Sequence, residues 1–233
     1  MAFLKGDPTG DDEEITDALL RLRKHLISEF STEYTASVPK MIWKSRSTYQ
    51  CLIRRTVEAV DGMRSAWNAG NLLTALTMGR SLLETGAVVS RLSDSVKDAT
   101  VKRDVEALDR VVMNVGFGTR YDLFEGEKEE HKALNILTVI DHMDRSLFGD
   151  KTPRLRDAYD FLSEFVHPNH LGILGLYSDN FPETFRIEFG KTARKKQEIV
   201  DHLRITLGMV LLVEQAASDF ESMVPAITEF VPK

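Results

Sequence analysis

Four things are scarce in this chain, and each scarcity removes a class of function. Cys51 is the only cysteine, so no internal disulfide and no cysteine-based metal cluster can form. Long apolar runs are missing. The longest, Met209 to Val213, falls far short of the ~20 apolar residues that a membrane-spanning helix needs. Basic charge is in deficit, with 30 Lys and Arg against 36 Asp and Glu and a net charge of −6. A surface that grips nucleic acid all round needs concentrated cations, so any such contact must be local. Phosphate-loop chemistry is also missing. The glycines of NVGFGTRYD, at 114–122, lack the Gly-Lys-Ser/Thr ending and follow no strand. They read as a bend around Phe117. The opening MAFLKGDPTGDDEE has no apolar stretch beyond Lys5 and does not read as a secretory signal. A cytoplasmic protein is the expectation.

What is present is helical pattern. Hydrophobic content of 42% over 233 residues is enough for one large core. Residues 1–12 carry Gly, Pro and Asp and are expected to fray. Residues 13–233 are expected to form a single helical domain. Ile15, Leu19, Leu22, Leu26 and Phe30 fall at helical spacing and predict a helix over 13–30. A helix over 41–68 follows, with Tyr49, Leu52, Ile53, Val57, Val60, Met63 and Trp67 as its stripe. It is locally basic through Lys40, Lys44, Arg46, Arg54, Arg55 and Arg64, which read as a solvated face. Gly70 and Asn71 supply a C-terminal stop and the next N-cap. Helices are then predicted over 72–97, 100–115, 131–148 and 153–166, with an acidic loop at 122–130 between the second and third.

Gly172 to Gly190 breaks the pattern. ILGLYS and TFRIEF alternate or are rich in β-formers, and they predict a β-hairpin across Asp179–Pro182. A last long helix is predicted over 192–224, stopped by Pro225. The fold class is all-α: a bundle of about seven helices with a small β-hairpin before the last long helix.

Two places stand out for chemistry. On the 72–97 helix, Arg80 and Glu84 share the heading of Leu73, Leu76, Leu83 and Ala87, which puts a charged pair on an apolar face. Such a pair needs further partners or a functional reason. At the end of the 153–166 helix, Tyr159–His170 reads YDFLSEFVHPNH. Arg156, Asp160, Ser163 and His167 draw one polar stripe there, and Glu164 and Asn169 lie beside it. Pro168 disfavours helical geometry at His167, so the helix should end at that imidazole. An imidazole can act as general acid or base near neutral pH. His131 and His142 lie three turns apart, and Pro168 separates His167 from His170. Neither spacing suits a metal, so no metal and no cofactor is expected.

LSEFVHPN at 162–169, with RSLLE at 80–84 upstream in an all-helical chain, resembles the HEPN-like superfamily and its uncharacterised bacterial relatives. The likeness covers Leu72–Glu84 and Tyr159–Asn169. It implies a dimeric helical bundle, and for active members a metal-independent RNase of toxin–antitoxin or phage-defence systems with His167 as acid/base. Members place an Arg a few residues before the His, where this chain has Phe161 and Leu162. Arg80 or Arg156 would have to supply that charge from elsewhere, which requires Arg80 and His167 to come within about 10 Å. Two functions therefore stand side by side. One is a binding or regulatory protein with a polar site near Arg80, Glu84 and His167. The other is the RNase, with Ser163 beside His167. The partners expected are a second copy of the chain, and RNA or another protein, with no membrane.

Overall fold

The computed structural model describes Leu4 and residues 13–119, 133–149, 153–190 and 196–232. Among these it holds nine α-helices and one two-stranded hairpin. In chain order they are α1 (Glu13–Lys24), α2 (Thr32–Ser37), α3 (Lys40–Asn68), α4 (Leu72–Lys102), α5 (Val105–Phe117), α6 (Ile136–Phe148), α7 (Arg154–Val166), β1 (Ser178–Phe181), β2 (Arg186–Phe189), α8 (Lys196–Leu207) and α9 (Met209–Phe230). The all-α class and the hairpin match expectation. No helix among the described residues is long and apolar enough to cross a membrane.

α4 is the axis. At 1.5 Å per residue it runs about 46 Å, and α3, α5, α6, α7, α8 and α9 all pack on it. Leu76, Leu82, Leu83, Val89, Leu92 and Val96 are fully buried. Gly79 and Gly86 lie one heptad apart and so share a heading. A Cβ at Gly79 would stand 2.6 Å from Leu203 Cδ2 on α8. One at Gly86 would stand 2.8 Å from Cβ of Met209, the first residue of α9. The absent side chains form a flat strip on which the α8–α9 junction rests.

Helix limits depart from expectation at several places, α6 among them, which starts at Ile136 behind the N-cap Asn135 instead of at 131. The first helix stops at Lys24, and residues 25–31 form an irregular segment. Gln50 holds that segment through His25 O (2.9 Å) and Ile27 N (3.2 Å). Ser31 then caps the extra short helix α2 at Tyr34 N (3.0 Å). α4 continues past residue 97 to Lys102 and ends on Arg103 in the left-handed conformation, φ 54°. Asp104 caps α5 at Ala107 N (2.9 Å), so the break falls at 103–104 and not before 100. The stretch ILGLYS is mostly not strand. Leu171–Gly175 make one π-helical turn, β1 starts at Ser178, and Pro182–Thr184 form the 3₁₀ turn of the hairpin. The last long helix is divided at Gly208, and Pro225 lies inside α9 instead of ending it. The proline removes one backbone donor, yet the final turn still docks through fully buried Ile227.

The acidic loop at 122–130, His131, Thr152 and the expected start of the last helix at 192–195 lie outside the described residues, as do residues 1–12 apart from Leu4, which is buried. α7 is capped from a distance. Buried Asp144 on α6 accepts from Leu155 N (3.0 Å) and Arg156 N (2.8 Å). Two otherwise orphan donors of the first turn are thereby satisfied.

The strip makes a testable prediction. Gly86→Ala gains ~1 kcal/mol of helix propensity, but it drives a methyl into Met209, where overpacking costs ~1–3 kcal/mol. The midpoint of chemical denaturation should therefore fall. In a Met209→Gly background, which removes every side-chain atom that the new methyl meets, the same substitution should be neutral or stabilising. Equal effects in both backgrounds would show that the two residues do not meet.

Candidate functional site

The residues expected to form one polar site fall into three separate groups. In the first, Arg80 Nε donates to Glu84 Oε1 (3.2 Å), and Nη2 donates to the Tyr159 hydroxyl (2.8 Å). The guanidinium also lies over the Tyr159 ring, 4.9 Å from its centre. The charged pair on the apolar face of α4 thus finds its third partner on α7, and both side chains are about three-quarters covered. This is the further contact that a half-buried ion pair needs.

The second group sits on the first turns of α7. Arg156 binds Asp160 one turn on (2.9 Å) and Asp141 on α6 (3.0 Å). Asp160 first, and Asp141 second, hold the guanidinium pKa above its ordinary value. Two carboxylates match this cation before any ligand arrives.

The third group is the helix end. His167 is the C-cap of α7, as its neighbour proline predicts, with extended backbone (φ −75°, ψ 145°). Its N–H donates to Ser163 O (3.0 Å), while the Ser163 hydroxyl donates to Tyr159 O (2.7 Å). Ser163 is therefore committed to its own helix backbone. Asn169 ties the turn together. Its Nδ2 donates to Glu164 Oε2 (2.8 Å), its Oδ1 accepts from Gly172 N (2.9 Å), and its own N–H donates to His167 O (2.8 Å). The His167 ring is exposed and makes no contact among the described residues. Tyr159 lies eight residues before His167, about 12 Å along the axis. Arg80, anchored on Tyr159, makes no contact with His167.

Gly172 explains the geometry of this turn. A Cβ there would fall on the carbonyl oxygen of His167 and within 2.9 Å of that of Phe165. Only glycine lets the π turn close back on the helix end. The basic face of α3 is likewise partly engaged by its neighbours. Lys44 binds Asp109 (2.7 Å), Arg55 binds Thr85 (3.0 Å) and Ser81 (2.9 Å), and Arg54 holds Ile27 O. Lys44 and Arg55 thus tie α3 to neighbouring helices, while Lys40, Arg54, Arg55 and Arg64 are exposed, as the solvated-face reading expects.

A groove on the opposite side of the bundle went unnoticed in the sequence. It encloses about 450 Å³ between the 25–31 segment, α2, α3 and α9. Leu22, Ile27, Phe30, Tyr49, Ile53 and Phe220 make its apolar lining. Tyr49 stacks on Phe220 with ring centres 4.7 Å apart, and Phe30 stacks on Tyr34 at 4.9 Å. Two ion pairs stand on its rim. Arg21 on α1 forks onto Glu214 (Nη2–Oε2 2.9 Å). Arg46 on α3 forks onto Glu221 (2.9 and 2.5 Å) and donates to the Tyr34 hydroxyl (2.5 Å). The bond to Glu221 is the main reason that the Arg46 pKa is raised. Glu214 and Glu221 are one heptad apart and share a face of α9. The signal was legible in principle: Tyr49, Ile53, Phe30 and Leu22 all belong to predicted stripes. The groove exists because the chain leaves the helix at His25, and periodicity does not report that.

The turn at Gly172 supplies the prediction here. Gly172→Ala should cost more than the ~1–3 kcal/mol of ordinary overpacking, because main-chain carbonyls and not pliable side chains stand in the way. Thermal unfolding of the variant measures this, and an unchanged midpoint would contradict the close approach. Compared with protein-family models, curated proteins and solved structures, the chain finds no match.

Proposed function

We propose that this chain is a non-catalytic helical binding protein, and that its ligand is a small, largely apolar, uncharged molecule seated in the groove between the 25–31 segment, α3 and α9. The observation that carries the reading is the groove's combination of aromatic lining with a charge-matched rim. Its volume of about 450 Å³ lies within the range of small-molecule sites. Each rim carboxylate has its own arginine, so a charged ligand would find no uncompensated partner. The polar residues around α7 support the same reading from the other side. Arg80, Arg156 and Ser163, which RNA cleavage would need to stabilise phosphate or assist His167, are each held by groups of the fold.

The RNase reading keeps one supporting observation, the exposed imidazole of His167 at a helix end. Two experiments separate the readings. In excess chelator, wild type and His167→Ala are expected to leave a mixed RNA pool equally intact. Cleavage by the wild type that disappears in a folded His167→Ala would overturn the binding reading. For the groove, an environment-sensitive uncharged dye such as Nile red is expected to bind saturably. Ala217→Trp, which fills the groove from α9, should weaken that binding at least tenfold. Unchanged binding in a folded Ala217→Trp protein would move the ligand site elsewhere.

A further inference from the structure

The hairpin carries the least protected apolar surface described in this chain. Phe185 is 97% exposed and Phe189 74%. Ile187, Tyr177 and Ile173 are about half exposed, and Leu174 slightly less. Phe185 also holds a left-handed backbone, φ 50°, which a bulky residue adopts only under constraint. The hairpin is only two strands, and such a ribbon is marginal in water without further packing. β1 runs beside the π turn, whereas β2 faces outward with β1 as its neighbour. Among the described residues β1 is the one strand paired with β2, which leaves the other edge of β2 as a template for a further strand.

The sequence of that edge specifies what fits it. Phe185–Phe189 reads F-R-I-E-F, symmetric in chemistry about Ile187 apart from the sign of its two charges. In an antiparallel pair of two such edges centred on Ile187, Ile187 meets its own copy. Arg186 then lies across from Glu188, and Phe189 lies beside Phe185, the turn residue that leads into β2. Within one chain Arg186 already reaches Glu188 (3.1 Å), so both charges stand on one face and Ile187 and Phe189 on the other. A two-fold axis thus matches apolar with apolar and plus with minus at every position, as a self-complementary interface requires. Phe185, Ile187 and Phe189 at this edge offer roughly 440 Å² per chain, taking ~200 Å² for a fully exposed large side chain. Covering them on two copies, together with the paired backbone and the charged side chains of both strands, approaches the ~1,000 Å² expected of a specific interface.

We propose that β2 is a self-association edge: two copies of the chain pair antiparallel through Phe185–Phe189 to make one four-stranded sheet across a two-fold axis. The partner is a second copy because the charge order on β2 is complementary to itself. This inference is independent of the groove and of any ligand there.

Sedimentation across a concentration series tests it. Wild type is expected to move from the 26.3 kDa of one chain toward twice that mass. Arg186→Glu alone, and Glu188→Arg alone, should stay at the mass of one chain, because each sets like charges opposite each other. An equimolar mixture of the two variants should recover the double mass, since every pair across the axis is again opposite in sign. Phe189→Ser provides a second variant that needs no charge change and should weaken association at least tenfold. Circular dichroism confirms that each variant is folded. Wild type that stays single at all concentrations overturns the proposal, and its sedimentation with phosphatidylcholine vesicles would reassign the patch to a lipid surface. Variants that associate like wild type, or a mixture that stays single, would also overturn it.

Discussion

The close approach of α4 to the α8–α9 junction is the constraint on which the rest depends. Gly79 and Gly86 offer no side chain there, so Leu203 and Met209 lie against backbone. Six helices can then share one axis, because α4 is narrow on one side and buries mostly apolar residues on the others. A bundle built this way needs no metal or disulfide to hold its centre, in keeping with a single, exposed cysteine. Dispersion and apolar burial suffice once the helices are near enough.

Around that axis, charge sets position more than it adds stability. Arg21–Glu214 and Arg46–Glu221 are partly exposed, and pairs of this kind add little to stability. What they provide is alignment. Two carboxylates one heptad apart on α9 receive arginines from two different helices, and the aromatic groove lies between those clamps. Asp144 plays a similar part for α7, since it supplies from a neighbouring helix the cap that Pro153, at the N-cap position, cannot.

The sequence made the broad plan legible. Apolar spacing located α3, α4, α6 and α7, and His167-Pro168 placed the end of α7 at the right residue. The MGRSLLETG stretch contained the glycine pair, but only the rest of the bundle reveals what rests on it. Misreadings came where particular hydrogen bonds and turns outweigh the apolar spacing. Gln50 draws residues 25–27 out of the α1 helix, Asp104 shifts the start of α5, and the π turn replaces the first half of a predicted strand. Candidate chemistry was harder to read for the same reason. Arg80 and Arg156 looked available in sequence because their partners, Tyr159 and Asp141, belong to other helices. The irregular segment at 25–31, which forms one wall of the groove, continues the helical spacing through Leu26 and Phe30, so periodicity alone carries the helix past the point where the chain leaves it.

The central place of α4 also bears on how the molecule breathes. Its amides can meet solvent only when several helices part together, which makes their opening nearly as costly as global unfolding. α1 packs on α3 and α9, and the segment after it is held by a few side-chain bonds to α3. That corner can separate from the bundle as its own small unit while the axis stays closed. Hydrogen exchange would then be fast over one wall of the groove and slow along α4, so the route into the groove need not disturb the core.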